Sequence, residues 1–316
     1  MSRFCANIGK LIRKSADMPK VDVIIPAYNA ARFLPAAIDS VEAQTFDDWR
    51  ILLVDDGSTD NTAQIVAPYQ KRLGPKLVYI KQANAGASAA RNAAIRNSSA
   101  EFLALLDADD VWLPWRLVES LKSFADRPQA GLSYGMIQYI DQEGKTTEWK
   151  DRRQKNGEGW IVTQIYTRKL NLPCPTLTFR RQCVEEVGLF DESMRATEDR
   201  DLWLRIAQRY EVAFVERVIA HYRLSPNSLT SDLNGMRKTQ LHFVEKHRGA
   251  PGCGAWQRRV ALSVIHRQYA DGLSKRGDPW AALKNSLRAL LLNPLDGSNA
   301  RAAGSLLLRW AIKTKN

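Results

Sequence analysis

The 316 residues carry 46 Lys and Arg against 34 Asp and Glu, a formal net charge of +12, and 45% of them are hydrophobic. That balance is ordinary for a globular protein, and the length suits one large domain with an appendage. No uninterrupted apolar run of about 18 residues occurs, which excludes a membrane-spanning helix. Four cysteines (Cys5, Cys174, Cys183, Cys253) without CxxC spacing exclude a disulfide framework and a zinc site, and only four histidines are present.

Taken in chain order, Val21–Pro26 is a short apolar run ending at a proline and predicts a buried strand. Phe33, Ala37, Ile38 and Val41 then recur at helical spacing. Arg50–Val54 predicts a second strand, and Asp60 suits the N-cap of a helix over 63–73. Leu77–Ile80 predicts a third strand, Ser88–Asn97 an alanine-rich helix, and Glu101–Leu106 a fourth strand. This alternation implies an α/β fold, a mostly parallel sheet with helices on both faces. Residues 111–235 are more irregular, with turn signals at Asp141–Gly144 and Asn156–Gly159 and a helix expected over Ser193–Tyr210. From Gly235 a helical appendage is expected, broken at Pro251-Gly252, Asp278-Pro279 and Asn293-Pro294.

The positive excess sits at the two ends. Residues 1–20 hold five Lys/Arg and one Asp, and residues 236–316 hold fifteen Lys/Arg and four Asp/Glu. Such a pattern fits either solvated helix faces or attraction to anionic lipid headgroups or an anionic acceptor. No nucleic-acid-binding motif accompanies it, so nucleic acid is not an expected partner. The N-terminal segment lacks the apolar core of a signal peptide, so a cytoplasmic location is expected.

Ligands of such sheets bind beyond the carboxyl ends of the strands. Pro26-Ala-Tyr-Asn29, Asp55-Asp-Gly-Ser-Thr-Asp60 and Asp107-Ala-Asp-Asp110 follow the first, second and fourth strands, which points to one shared site. Asp107 and Asp109 offer hard oxygen ligands for a divalent cation, although the same residues suit an acidic turn before a helix. Asp55 and Asp56 suit a base N–H or ribose hydroxyls, or a tight turn around Gly57. Arg91, one turn into a helix after Asn84-Ala-Gly86, suits a base or diphosphate contact, or plain solvent exposure. Glu198 and Asp199 precede Leu202, Trp203, Leu204 and Ile206, so they stand near a helix start, where acids are favoured anyway; one of them also suits a general base.

Together VDVIIPAYNA, DDGSTDNT, NAGASAARN, FLALLDADDVWLP and GLFDE…TEDRDLWLRIA resemble glycosyltransferase family 2, over roughly residues 20–230. The resemblance implies a GT-A (Rossmann-like) fold and inverting transfer from a nucleotide-sugar, with UDP the expected nucleotide, in a hexosyltransferase-type enzyme. It implies a GT-A domain over 21–235 (donor half 21–115, acceptor half 116–235), flanked by the basic segment 1–20 and the basic helical region over 236–316 that the charge distribution marks. Pro26, Tyr28 and Asp56, with Asp55 beside it, would hold the nucleoside. Arg91 would add a base contact and Asp107 would meet ribose or diphosphate. Asp109, with Asp110 a possible sharer, would ligate Mn2+ or Mg2+. Asp199, paired with Glu198, would be the base. The acceptor would be a saccharide or a lipid-linked chain, near Asn171–Thr176, with the protein peripheral on the inner face of the membrane and engaged in surface polysaccharide assembly. One departure stands out. The family often continues Tyr-Arg-x-His-x-x-Ser, whereas Ser225 takes the histidine position in Tyr222-Arg-Leu-Ser-Pro-Asn-Ser228, so a histidine ligand is in doubt and His221 is expected to be packed. Two rival readings are a nucleotidyltransferase, disfavoured because no glycine-rich, arginine-containing loop follows the first strand, and a non-catalytic nucleotide-sugar binder.

Overall fold

Val21–Ala27 is apolar on both faces apart from Asp22, and this strand, β1, is buried along almost its whole length. The computed structural model describes residues 19–147, 157–194, 196–225 and 232–313. The basic segment through residue 18, Cys5, Trp149, Asn156 and the last part of the Tyr222–Ser228 stretch lie outside the described residues. β2 (Trp49–Asp55) pairs with β1 in parallel, β3 (Leu77–Lys81) joins β2, and β4 (Phe102–Leu105) joins the other side of β1, both also in parallel. Helices α1 (Leu34–Glu42), α2 (Thr62–Leu73) and α3 (Ala87–Arg96) make the crossovers. Asp60 is not the N-cap of α2, which is Asn61. Instead it braces the preceding turn, one oxygen accepting from the Thr62 N–H at 3.0 Å and the other from the Ala31 N–H at 3.2 Å.

Asp22 is fully buried at the opposite end of β1 from the predicted site. Its cross-strand partner Arg50 donates to both carboxylate oxygens at 2.9 Å, and Ser98 Oγ donates at 2.6 Å. This charge pair pins the β1–β2 register, because a slip of one residue would strand the carboxylate in the core.

Residues 111–223 are more regular than their sequence suggests. They add β5 (Val111–Trp112), α4 (Arg116–Asp126), β6 (Ala130–Ile140), β7 (Thr178–Arg180) and β8 (Glu211–Arg223), with α5 (Val162–Tyr166) and α6 (Arg181–Val187) between. The eight strands form one sheet in the order β3-β2-β1-β4-β7-β6-β8-β5. It is parallel from β3 to β4, antiparallel around β7, parallel between β6 and β8, and antiparallel at β5. The periodicity of β6 is hidden because glycines stand where side chains would show a pattern. A Cβ at Gly131 would lie 2.6 Å from Tyr210, and one at Gly135 2.7 Å from Ile219. Close approach, rather than a turn, requires these glycines.

The chain divides into two compact units. The first (Met1–Lys150, Leu172–Glu192, Tyr210–Leu224) holds the whole sheet. The second (Asp151–Asn171, Ser193–Arg209, Ser225–Asn316) holds α5, α7 (Glu198–Ala207), α8 (Leu233–Lys246), α9 (Ala255–Lys275), α10 (Pro279–Leu292) and α11 (Gly297–Lys313). α7 is shorter than the helix expected over Ser193–Tyr210, because Thr197 adopts a left-handed φ of 71° just before it. The three expected breaks separate α8 to α11, with Asp278 capping α10 through the Ala281 N–H at 3.0 Å. Inside this unit Asp201 is fully buried, with Lys246 Nζ at 2.7 Å, His247 Nε2 at 2.8 Å and Arg205 Nε at 2.9 Å. Burial alone would raise its carboxyl; bonds from His247 and Lys246 and the Arg205 charge hold it well below the usual range.

Arg50→Ala leaves Asp22 buried without its cation. Urea denaturation of the variant is expected to show a loss of about 2 kcal/mol, at the low end for a buried pair because Arg50 is partly exposed.

Candidate active site

The loops after β1 and β2 are bound to each other. Asn29 accepts the Thr59 N–H at 2.8 Å through its side-chain oxygen and donates its own N–H to Ser58 Oγ at 3.0 Å. Asn29 has a positive φ of 49°, which asparagine tolerates. Pro26 is compatible with a central strand here because the β1–β4 ladder ends at the Ile24–Leu105 pair, just before it. Tyr28, next along, is 54% exposed.

Asp55 and Asp56 are buried, and both carboxylates bind their own chain. Asp55 accepts the Ser58 N–H at 2.8 Å and the Tyr79 hydroxyl at 2.5 Å. Burial pushes its carboxyl up, but these bonds and the charge of Lys81 outweigh it and leave it below the usual value. Asp56 accepts from Gln82 Nε2 at 2.7 Å, the Ala85 N–H at 2.9 Å and the Gly86 N–H at 2.8 Å. It thereby fixes the loop that enters α3. Gly57 has φ 77°, and a Cβ there would lie 2.8 Å from the Asn84 nitrogen, so only glycine fits between the two loops.

Arg91, one turn into α3, is buried rather than solvent-facing. Its guanidinium donates to Asp107 at 2.7 Å and lies over the Phe190 ring. Asp107 therefore has a defined orientation while its carboxylate stays about a quarter exposed. Asp109 follows, and burial together with the Asp107 charge pushes its carboxyl up to about 6. Asp110 is buried; one oxygen accepts the Arg223 N–H at 2.8 Å and the other has no hydrogen-bond partner among the described residues.

Arg223, at the end of β8, holds this acidic turn. Its Nε donates to the Asp109 carbonyl at 2.8 Å, its Nη1 to the Asp141 and Gln142 carbonyls at 2.8 and 3.0 Å, and its guanidinium covers the Phe33 ring. The sequence signal was the Tyr222-Arg223 pair, an arginine within an apolar strand. His221 lies two residues earlier on β8, half-buried, and burial with the Arg223 charge lowers its imidazole.

Trp112 and the fully buried Arg116 carry the segment that precedes β7. The Trp112 indole donates to the Pro175 carbonyl at 2.7 Å, and Arg116 donates to Thr178 Oγ1 and the Leu177 carbonyl at 2.6 and 2.7 Å. Burial without a neighbouring carboxylate drops Arg116 to about 9. The sulfur of Cys174 thereby sits 3.8 Å from Arg91. Trp112 and Trp203 are buried in packing, whereas Trp160 is exposed. Glu198 and Asp199 open α7 in the second unit, where the Asp199 carboxylate accepts the Arg200 N–H at 2.6 Å.

The model of Glycosyl transferase family 2 matches residues 22–187. The chain belongs to glycosyltransferase family 2.

An uncharacterized glycosyltransferase of Nostoc sp. is 33% identical over 209 residues, 65% of each chain. The putative teichuronic acid biosynthesis glycosyltransferase TuaG of Bacillus subtilis is 28% identical over 73% of this chain and 89% of its own. The match spans only 34% of an uncharacterized Rickettsia felis glycosyltransferase. Residues 1–349 of TarS from S. aureus share the fold with a TM-score of 0.65 at 16% identity, over 93% of this chain and 92% of that one. A mannosyltransferase from Pyrobaculum calidifontis, solved with GDP-Man and Mn2+, does so at 0.61 and 19% identity, over 97% and 87%. The fold of this family 2 chain is therefore GT-A.

Among the described residues no three His, Cys, Asp or Glu side chains form a metal shell. The Asp107–Asp110 turn of this family 2 chain still fits a magnesium or manganese ion. Such ions take one or two carboxylates and fill the shell with phosphate oxygens and water, and a cation would offset the burial and the Asp107 charge that raise Asp109.

Arg223→Ala removes three side-chain hydrogen bonds at once, to the Asp109, Asp141 and Gln142 carbonyls. The expected loss is about 2–4 kcal/mol by chemical denaturation, with Arg223→Lys recovering only part, since an ammonium lacks the planar fork.

Proposed function

We propose that the protein is an inverting, metal-dependent glycosyltransferase that moves a sugar from a nucleotide-sugar, with UDP as the nucleotide, to a hydroxyl of a saccharide or lipid-linked acceptor. The observation that carries this is the gathering of the Asp56-bound loop, the Arg91–Asp107 pair and the Asp109 turn at the carboxyl ends of adjacent parallel strands in a family 2 chain. The donor class is supported by fold neighbours solved with UDP, with UDP-GlcNAc and with GDP-Man. The similarity to TuaG supports a role in bacterial surface polysaccharide or glycolipid assembly.

In this reading Pro26, Tyr28 and the Asp55-Asp56 turn receive the nucleoside, the exposed Tyr28 ring against the base. Arg91 orients Asp107 toward ribose or diphosphate. Asp109, next to Asp110, would hold Mn2+ or Mg2+, which when bound neutralises charge on a diphosphate leaving group. Asp199, with Glu198 beside it, takes the proton from the acceptor hydroxyl. The hydroxyl oxygen bonds to the anomeric carbon opposite the bond to the diphosphate, which breaks, and configuration inverts. The segment Asn171–Thr176 borders the acceptor, and the basic stretches 1–20 and 236–316 dock the protein on the anionic inner face of the membrane.

Release of nucleoside diphosphate from a panel of donors tests the activity; release from none of them would leave only a nucleotide-sugar binder. Asp199→Asn is expected to cut turnover about 10²–10⁴-fold with donor affinity preserved, read by single-turnover kinetics and calorimetry. Asp109→Ala is expected to abolish the Mn2+ dependence of donor binding, so that EDTA lowers affinity in the parent and not in the variant.

A further inference from the structure

Helix α10 carries apolar side chains on both of its sides. Ala282, Leu283, Asn285, Ser286 and Ala289 are buried, and the helix packs on α9. Yet Trp280, Leu287 and Leu291 are 63%, 40% and 75% exposed, and Leu295, just beyond the helix, is 85% exposed. Positions 280, 284, 287, 288 and 291 follow the 3.6-residue period and share one face. Two of them are the exposed cations Lys284 and Arg288. A third cation comes from α9: Arg259 donates to the Leu291 and Leu292 carbonyls at 3.2 Å, closing the C-terminus of α10. Trp256, one turn before Arg259, is also exposed. The two nearby acids, Asp278 and Asp296, accept N–H groups from Ala281 and Ser298 at helix starts.

Large apolar side chains clustered in water mark a contact surface. Here the cluster mixes indoles and leucines with lysine and arginine, in a region with fifteen cationic and four acidic residues. That composition matches a headgroup region, where indoles sit at the interface, aliphatic tips reach the acyl chains and cationic heads reach phosphates. No helix among the described residues is long and apolar enough to cross a bilayer, so the geometry suits lying on one.

We infer that the outer face of α10, with Trp256 and Arg259 of α9, binds the surface of an anionic phospholipid bilayer. This deepens the docking part of the proposed function by giving it a face and an apolar contribution, so binding depends on leucines as well as charge.

The test is sedimentation of the full chain, without donor, with vesicles of phosphatidylcholine alone or mixed with phosphatidylglycerol. The parent is expected to pellet only with the mixed vesicles. Leu291→Ser with Leu295→Ser is expected to lower partitioning by about tenfold or more, as two buried aliphatic chains are lost. Lys284→Glu with Arg288→Glu is expected to do the same. Lys71→Glu with Lys145→Glu, exposed in the first unit, controls for net charge and should leave binding in place. Unchanged melting curves show that the surface variants fold. Equal pelleting with neutral vesicles, full binding by the leucine variant, or a parent dimer that this variant splits in place of vesicle binding would each overturn the inference. Because no donor is present, failure here leaves sugar transfer standing, and absence of diphosphate release leaves docking standing.

Discussion

The acidic turn Asp107–Asp110 puts three carboxylates within four residues, and Arg223 is what makes that arrangement tolerable. Its backbone N–H binds one oxygen of Asp110, its side chain fixes the Asp109 carbonyl, and its charge opposes the rise in both carboxyls. The same guanidinium ties the Asp141–Gln142 turn and covers Phe33, so three loops meet on one cation. Without that tie, repulsion between the carboxylates would open the turn, and the strand-end site would lose its shape.

Asp55, Asp56 and Asp107 are each held by protein donors. Asp55 accepts from its own loop and from Tyr79 of β3, Asp56 accepts from the loop that enters α3, and Asp107 is braced by a buried arginine. Pre-organisation of this kind is what a ligand site needs, because groups already fixed lose little entropy on binding. The same unit spends a buried Arg116 on the carbonyls before β7, with Trp112 stacked against it, although an aliphatic residue would be easier to bury. The return is a fixed position for Cys174 beside Arg91.

The second unit buries a charged cluster and exposes large apolar side chains. Asp201 is surrounded by Arg205, Lys246 and His247 inside it, while tryptophan and leucine side chains face outward from α9 and α10. Satisfied ionic networks can be buried; large apolar groups left in water need a partner, which is why the outer face reads as a contact surface rather than as incomplete packing.

By itself the sequence determined the four parallel strands, their crossover helices and the strand-end position of Asp55, Asp56, Asp107 and Asp109, because buried runs and turn residues are local signals. It also determined the breaks between the C-terminal helices, where Pro251-Gly252, Asp278-Pro279 and Asn293-Pro294 mark the junctions from one helix to the next. Only the tertiary structure decided the rest. β6 and β8 were hidden, since glycine at 131 and 135 is dictated by Tyr210 and Ile219 from distant chain. Arg91 was as compatible with solvent as with burial until Asp107 and Phe190 closed on it. Arg223 was visible only as a motif residue, because its partners lie more than eighty positions away, and contacts of that span leave no trace in local spacing.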